Sequence, residues 1–323
     1  MEELLAGLRA CAEPTRLRLL ALAERGSFCV MDFADILGQS QPRLSRHLRL
    51  LCEAGLLERQ REGANVWLAL PQAATPAGSL VRSLLGRLPE GDPLLAADRR
   101  HAARVLADRA RAASESFRRK GADWDEMRAL GLPAQAVEAA LLAALPEHGL
   151  GRVLDIGTGT GALLEVLASR IDTGLGIDAS RQMLALARER LGKPGLGHCA
   201  VRLGDMYRLP LPDASFDLVV MQMILHHAED PEGAVAEAAR MLRPGGRLVV
   251  VDLAAHDRAE CRDRLAHRWL GFRDSRVADL FGAAELAAAP TLTVPGPLEI
   301  RIWAAVAPDR LGVPSHHVLE TAE

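Results

Sequence analysis

Residues Val153 to Gly161 read Val-Leu-Asp-Ile-Gly-Thr-Gly-Thr-Gly, an apolar strand that ends in a carboxylate and runs into a loop with glycine at every second position. Gly157, Gly159 and Gly161 lack the Cβ that would hold a ligand off the backbone. A helix from Ala162 would offer its positive N-terminal end to a carboxylate or phosphate. Strand, glycine loop and helix in that order read as the first unit of a doubly wound sheet with a nucleotide-type cofactor at its carboxyl edge. Asp155 and the three glycines are therefore candidate cofactor residues. No Lys-Ser/Thr follows the glycines, which excludes a P-loop.

The loop alone leaves the cofactor open. Gly157 to Ala162 satisfies G-x-G-x-x-G/A, and Asp178, 21 residues after Gly157, stands where a ribose-binding acid is expected in either a nicotinamide or an S-adenosylmethionine (SAM) site. The segments that follow fit SAM better. A strand from Gly174 to Ile177 leads to Asp178 and a capped helix start at Ser180-Arg-Gln-Met183. A third strand, Ala200 to Leu203, leads to Gly204-Asp205-Met206. With Phe216-Asp217-Leu-Val-Val220 and Arg243-Pro-Gly-Gly246 before the strand Arg247 to Leu253, this ordered set resembles the class I SAM-dependent methyltransferases, and within them the quinone-methyltransferase-like (UbiE-like) branch. The resemblance runs from about Gly151 to Pro308. It implies that Asp178 holds both ribose hydroxyls, Asp205 accepts from the adenine amino group, Met183 and Met206 sandwich the adenine, and the glycine loop faces the methionine moiety. S-adenosylhomocysteine would be the product.

Near the N-terminus, Pro14 to Glu24 and Val30 to Leu37 carry helical periodicity, and Gly38 stops the second. Ser40 to Leu51 opens a third helix with proline in its first turn and Leu44, Leu48 and Leu51 on one face. Gln41, Ser45, Arg46 and Arg49 lie away from that seam with no acid before Glu53, a face suited to a major groove; Arg43 and His47 stand among them. Leu56 to Gln60 and Asn65 to Leu70 read as strands joined at Arg61 to Ala64, a wing that would bring Arg59 and Arg61 to phosphates. The span Glu13 to Leu70 resembles the ArsR-type bacterial repressors, through Ser40-Gln-Pro and Ser45-Arg-His-Leu48. The resemblance implies operator DNA as a partner and a homodimer. Where the family's metal sensors have Cys-Val-Cys, this chain has Cys29-Val30-Met31, and no Asp/His cluster follows the wing. No metal site is expected.

The 323 residues, 49% of them hydrophobic, accommodate two cores. The expected organisation is a winged helix-turn-helix over 1–75, a helical linker with dimerising and lid elements over 76–146, a Rossmann-like α/β methyltransferase domain over 147–308, and a tail over 309–323. Pro71 to Gly78 reads as a linker and Pro93 to Lys120 as one long helix; Phe117 to Arg128 resembles the segment that lies over the cofactor in quinone-type methyltransferases. Five scattered cysteines without a C-x-x-C pair argue against a disulfide framework or zinc ribbon. No run spans a bilayer, and the acidic start is unlike a signal peptide, so the expected location is cytoplasmic, with no membrane partner. A net charge of −3 leaves DNA binding open, since a local basic helix suffices.

Methyl transfer from a sulfonium needs alignment, water exclusion and, for a protonated acceptor, a base. Candidate bases follow the strand ends: His226-His227 after the fourth strand, His256 after the fifth, and His267 on the next helix. His226 and His256 are favoured. Met221-Gln-Met-Ile224 replaces the Asn/Asp-Pro-Pro-Tyr of nucleobase methyltransferases, and Cys199 with Cys261 are too few thiolates for arsenite. The acceptor is expected to be a small molecule. The alternative is a regulator that senses SAM or S-adenosylhomocysteine without turnover.

Overall fold

The computed structural model describes residues 2–62, 65–71, 75–89, 91–119, 130–265 and 267–309. The head begins with helix α1 (Glu2–Cys11), unanticipated from the sequence although Glu2 and Glu3 in its first turn and Arg9 in its last complement the helix dipole. Helix α2 (Pro14–Ala23) starts with proline and is capped by Glu13, whose carboxylate accepts the Arg16 N–H at 2.8 Å. Strand β1 (Phe28–Cys29) leads into α3 (Val30–Leu37), which Gly38 ends with φ 62°. Helix α4 (Gln41–Glu53) buries Leu44, Leu48 and Leu51, as its spacing predicts. The wing pairs β2 (Glu58–Glu62) with β3 (Asn65–Ala69), and β1 adds a third strand through Phe28 opposite Leu68. Arg61 is not in the turn, as expected, but in strand β2 opposite Val66, because pairing continues two residues further.

The helix expected over Ser79 to Leu88 is α5 (Pro76–Leu85), which begins three residues earlier, inside the stretch read as a linker. The Thr75 hydroxyl accepts the Gly78 N–H at 3.0 Å and Pro76 fills the first turn, a start signal hidden among small residues. Helix α6 (Pro93–Arg119) sends Leu95, Ala102 and Leu106 inward, the last two into the head's core. Its buried Asp98 takes two hydrogen bonds of 2.7 Å from Arg18 of α2, a bidentate clamp. The expected lid from Phe117 to Arg128 falls largely outside the described residues, as does the tail beyond Asp309.

Helix α7 (Ala134–Ala144) precedes the main sheet. That sheet is built from β4 (Arg152–Ile156), α8 (Ala162–Leu167), β5 (Thr173–Asp178), α9 (Arg181–Leu191), β6 (Cys199–Leu203), β7 (Phe216–Gln222), α10 (Pro231–Met241) and β8 (Leu242–Leu253). After α11 (Glu260–Leu265) and α12 (Asp274–Ala283) come β9 (Ala287–Ala288), β10 (Leu292–Val294) and β11 (Ile300–Val306). The spatial order is β6-β5-β4-β7-β8-β11-β10, with β4 to β8 parallel and β11 antiparallel to β8. The chain leaves β4 for β5 on one side and returns to β7 on the other, so the switch point lies at the carboxyl end of β4, beside the glycine loop. Separate apolar clusters cover the two faces, one including Leu164, Leu184 and Val251, the other Leu154, Val219 and Phe281. Each such large side chain contributes about 1.5–3 kcal/mol by leaving water. This is the α/β architecture with a winged helix-turn-helix that the sequence leads one to expect.

Candidate functional site

The three loop glycines share positive φ, 75°, 53° and 72°, but only one opens outward. A Cβ on Gly157 would lie 2.5 Å from the Ile224 side chain, and one on Gly161 3.2 Å from Ala187 of α9. A Cβ on Gly159 would meet nothing within 4 Å. The expectation that all three clear room for a ligand is thus corrected: Gly157 and Gly161 permit close packing and the left-handed backbone, and Gly159 alone faces open space.

Asp178 closes on this loop. One carboxylate oxygen accepts the Gly159 N–H at 2.8 Å and the other the Ser180 N–H at 2.7 Å. Each oxygen keeps a second lone pair for a hydroxyl. Burial raises the Asp178 pKa above the usual carboxylate value, opposed by those two backbone donors. Ser180 also caps α9 through the Met183 N–H at 3.3 Å. Asp178 pairs in register with Leu203, and the Gly204 N–H donates to the Asp178 carbonyl at 3.1 Å, which sets the end of β6 beside that of β5. Asp205 is exposed and accepts the Tyr207 N–H at 3.1 Å; Met183 and Met206 are half-buried.

Asp155 has a different surrounding. It is 2% exposed, and the Thr158 hydroxyl donates to it at 2.6 Å, in space left by the missing side chain of Gly176. Asp155 therefore shapes the loop from beneath rather than reaching out of it. Burial, reinforced by the Asp178 charge and partly offset by Thr158, pushes its pKa up to about 7.

Beyond β7 the backbone strains through Met223, a non-glycine residue with φ 53°, into a short turn at Leu225–His227. His226 is fully buried, its Nδ1 2.6 Å from Asp252 Oδ1 and its N–H donating to the other oxygen at 3.2 Å. His256 is half-buried at the edge, and burial first, then the neighbouring His267 and Arg258, lowers its pKa. Of the two favoured bases only His256 reaches solvent. His267 is not on the helix, as expected, but follows α11, because the chain turns back after Leu265. Its ring lies 4.3 Å from that of His226 and 5.3 Å from that of His227. The sequence spacing gave no sign of this convergence.

On α4, Gln41, Arg43, Ser45, Arg46 and Arg49 are exposed, and so are Arg59 and Arg61 in the wing. Arg49 pairs with Glu53 at 3.6 Å, a surface contact of little energy. His47, expected among the DNA-facing residues, instead turns toward Glu13 at 3.6 Å, since its position on the helix lies nearer the leucine seam. Cys29 sits at the start of α3 with Arg109 of α6 beside it: the guanidinium lies 3.7 Å from its sulfur and pairs with Asp32. Arg109 and Arg188 of α9 both lie over the ring of Trp67 in β3, and Arg202 of β6 pairs with Glu58 of β2 at 3.0 Å. Neither the indole contacts nor the Glu58 pair has a local sequence signature.

Fold and site together define a DNA-binding type of head packed on a Rossmann-like domain with a nucleoside-cofactor edge. The chain matches the family model of the bacterial regulatory proteins of the arsR family over residues 13–59 and that of the methyltransferase domain over residues 154–250. It carries one domain of each kind. It is 40% identical over 109 residues, 33% of this chain and 53% of the relative, to a phosphatidylethanolamine N-methyltransferase of Cereibacter sphaeroides. It is 32% identical over 136 residues, 41% of this chain and 51% of the relative, to the ubiquinone/menaquinone biosynthesis C-methyltransferase UbiE of Geobacter sulfurreducens. The chain thus spans about half the length of these curated relatives. In shape it is similar to the complex of the Haloferax volcanii Trm112 methyltransferase activator and a putative methyltransferase, at TM-score 0.52 and 21% identity over 61% of this chain and 98% of the other. No described helix is long and apolar enough to cross a membrane.

Proposed function

We propose that the chain is a SAM-dependent methyltransferase of a small molecule whose head binds operator DNA as a homodimer in the cytoplasm. The observation that carries this reading is the half-buried Asp178 carboxylate held against the one open glycine of the loop, Gly159, at the switch point of the sheet. Those residues fit SAM. Asp178 would take the ribose hydroxyls, Asp205 the adenine amino group, Met183 and Met206 the adenine faces, and the Gly159 backbone the methionine end. Bound SAM supplies an electrophilic methyl group. The chain's part is to orient donor and acceptor and exclude water, with His256 placed at the edge to hold an acceptor's proton. The relatives are named for nitrogen and carbon acceptors, which favours no single acceptor atom.

A second reading, a SAM or S-adenosylhomocysteine sensor without turnover, is favoured by the wing strand's contact with α9, the helix that starts at the cofactor edge. Calorimetry with both cofactors, followed by incubation with methyl-labelled SAM and fractionated small-molecule extracts, separates them. Label transferred to a compound supports the enzyme, cofactor binding without transfer supports the sensor, and no cofactor binding overturns both.

A further inference from the structure

His226, His227 and His267 each offer a ring nitrogen, and the three nitrogens lie within 4.8 Å of one another. His226 and His267 are buried and His227 is half-buried. Imidazoles in mutual contact alone pack in many cores, but the surroundings of this group are specific. The Asp252 carboxylate, itself 0% exposed and oriented by the Leu253 N–H at 2.7 Å, holds His226 Nδ1 at 2.6 Å. That bond fixes the tautomer in which Nε2 is the nitrogen for a ligand, the carboxylate–histidine arrangement that stands behind metal-binding imidazoles.

The frame is rigid on both sides. The N–H groups of Arg268 and Trp269 donate to the His226 carbonyl at 3.0 and 3.1 Å, which fastens the His267 segment directly to the His226 turn. The His267 backbone N–H donates to the Cys261 carbonyl at 3.2 Å, and the strained Met223 precedes the turn. Cys261 and His256 form an adjoining group with His267 on the same 4.8 Å scale. One divalent cation can take a lone pair from each of three neutral imidazoles at once. A tetrahedral zinc site needs nitrogens about 3.4 Å apart, so the three have to draw in by at most about 1.4 Å, within reach of ring rotation at the half-buried His227.

We propose that His226, His227 and His267 form a three-histidine site for a divalent cation of the zinc type, with Asp252 orienting His226 and the fourth position open on the His227 side. Three protein ligands with one vacant position are the pattern of zinc sites that bind a water or a substrate heteroatom, not of closed structural sites. This proposal departs from the sequence-based expectation of no metal. It stands apart from the cofactor reading, because none of its residues is among those assigned to SAM.

The test uses the untagged full chain, stripped with a chelator and titrated with zinc against a chromophoric competitor, and with cobalt(II) for its ligand-field spectrum. One equivalent per chain and a tetrahedral cobalt spectrum are expected. His227→Ala, at a half-buried position, and His267→Ala should each weaken zinc by more than the ~10–100-fold that loss of an outer partner costs, and Asp252→Asn by about that amount. His148→Ala, at an exposed histidine elsewhere, should bind as wild type. If His267→Ala or Asp252→Asn does not fold, judged by circular dichroism, His227→Ala decides alone. Absence of stoichiometric binding, or wild-type affinity in His227→Ala, overturns the site.

Discussion

The guanidinium carbon of Arg188 lies 3.8 Å from the centre of the Trp67 indole, so a helix that begins at the cofactor edge rests on the middle strand of the wing. Arg109 also lies over the ring, at 4.9 Å, and reaches on to Asp32 and Cys29. A desolvated cation over tryptophan is worth about 2 kcal/mol. Arg188 is 4% and Trp67 8% exposed, which puts the contact in that range. In the metal-sensing relatives that the head resembles, the Cys29 region holds a thiolate pair. Here a guanidinium from α6 stands at that place and connects it to the other domain.

If this contact transmits the state of the cofactor edge, SAM and S-adenosylhomocysteine should differ in their effect on operator affinity, by about 1–3 kcal/mol, and operator DNA should shift the two cofactors' affinities reciprocally. Trp67→Phe and Arg188→Gln should abolish that difference while leaving each binding step intact. Titration of labelled operator with each cofactor at saturation measures it; equal curves for the wild-type protein would mean that the domains are only tethered.

If the proposed site is right, replacing Asp178 with Ala removes a half-buried carboxylate that would hold the ribose hydroxyls and should cost about 1.5–3 kcal/mol of SAM affinity for a charged partner. The variant also loses the bonds to Gly159 and Ser180, so Asp178→Asn, which keeps an acceptor on the loop, should fall between. Calorimetry on the three proteins ranks them, and equal affinities would remove Asp178 from the cofactor site.

Arg46 is exposed midway along α4 with no ion pair among the described residues. Arg46→Ala should weaken operator binding by about 1–3 kcal/mol if it reads a base edge, and the affinity of wild type should fall steeply with salt through counterion release. His47→Ala should act through stability instead, since that ring faces Glu13. Footprinting upstream of the gene, with gel shifts at several salt concentrations, checks both. Equal operator affinity for Arg46→Ala and wild type would take this arginine out of the groove.

Helices α2 to α4 of the head and the order of the β/α units were legible because each has a local cause: apolar spacing on α4, glycine and proline at the ends, apolar runs bounded by acids at β4 and β5. So were Asp178 and Gly159, through spacing alone. What was not legible depends on segments far apart in sequence. Trp67, Arg109 and Arg188 meet only once two domains dock, and His267 joins His226 only because residues 268 and 269 bond back to the turn after β7. Gly157 and Gly161 looked like ligand contacts because the sequence cannot tell a backbone opened for a cofactor from one opened for Ile224 or Ala187.

Asp155 supplies a pH test of the loop. Its carboxyl is buried, and its pKa is pushed from the ordinary 3.8 up to about 7. The folded protein therefore keeps a proton there that the unfolded chain has already lost. Stability from this group is full below the unfolded value and declines as pH rises from about 3.8 to about 7, by about 1.4 kcal/mol per pH unit at most. Asp155→Asn keeps an oxygen for the Thr158 hydroxyl and removes the ionisation. Its gain in melting temperature over wild type should be small near pH 4, grow through the window and level off above about pH 7. Thermal unfolding followed by circular dichroism at a series of pH values measures this difference. A difference that does not change with pH would show that the Asp155 carboxyl is not shifted in the folded chain, and a loss that grows as pH rises would show that the loop needs it ionised.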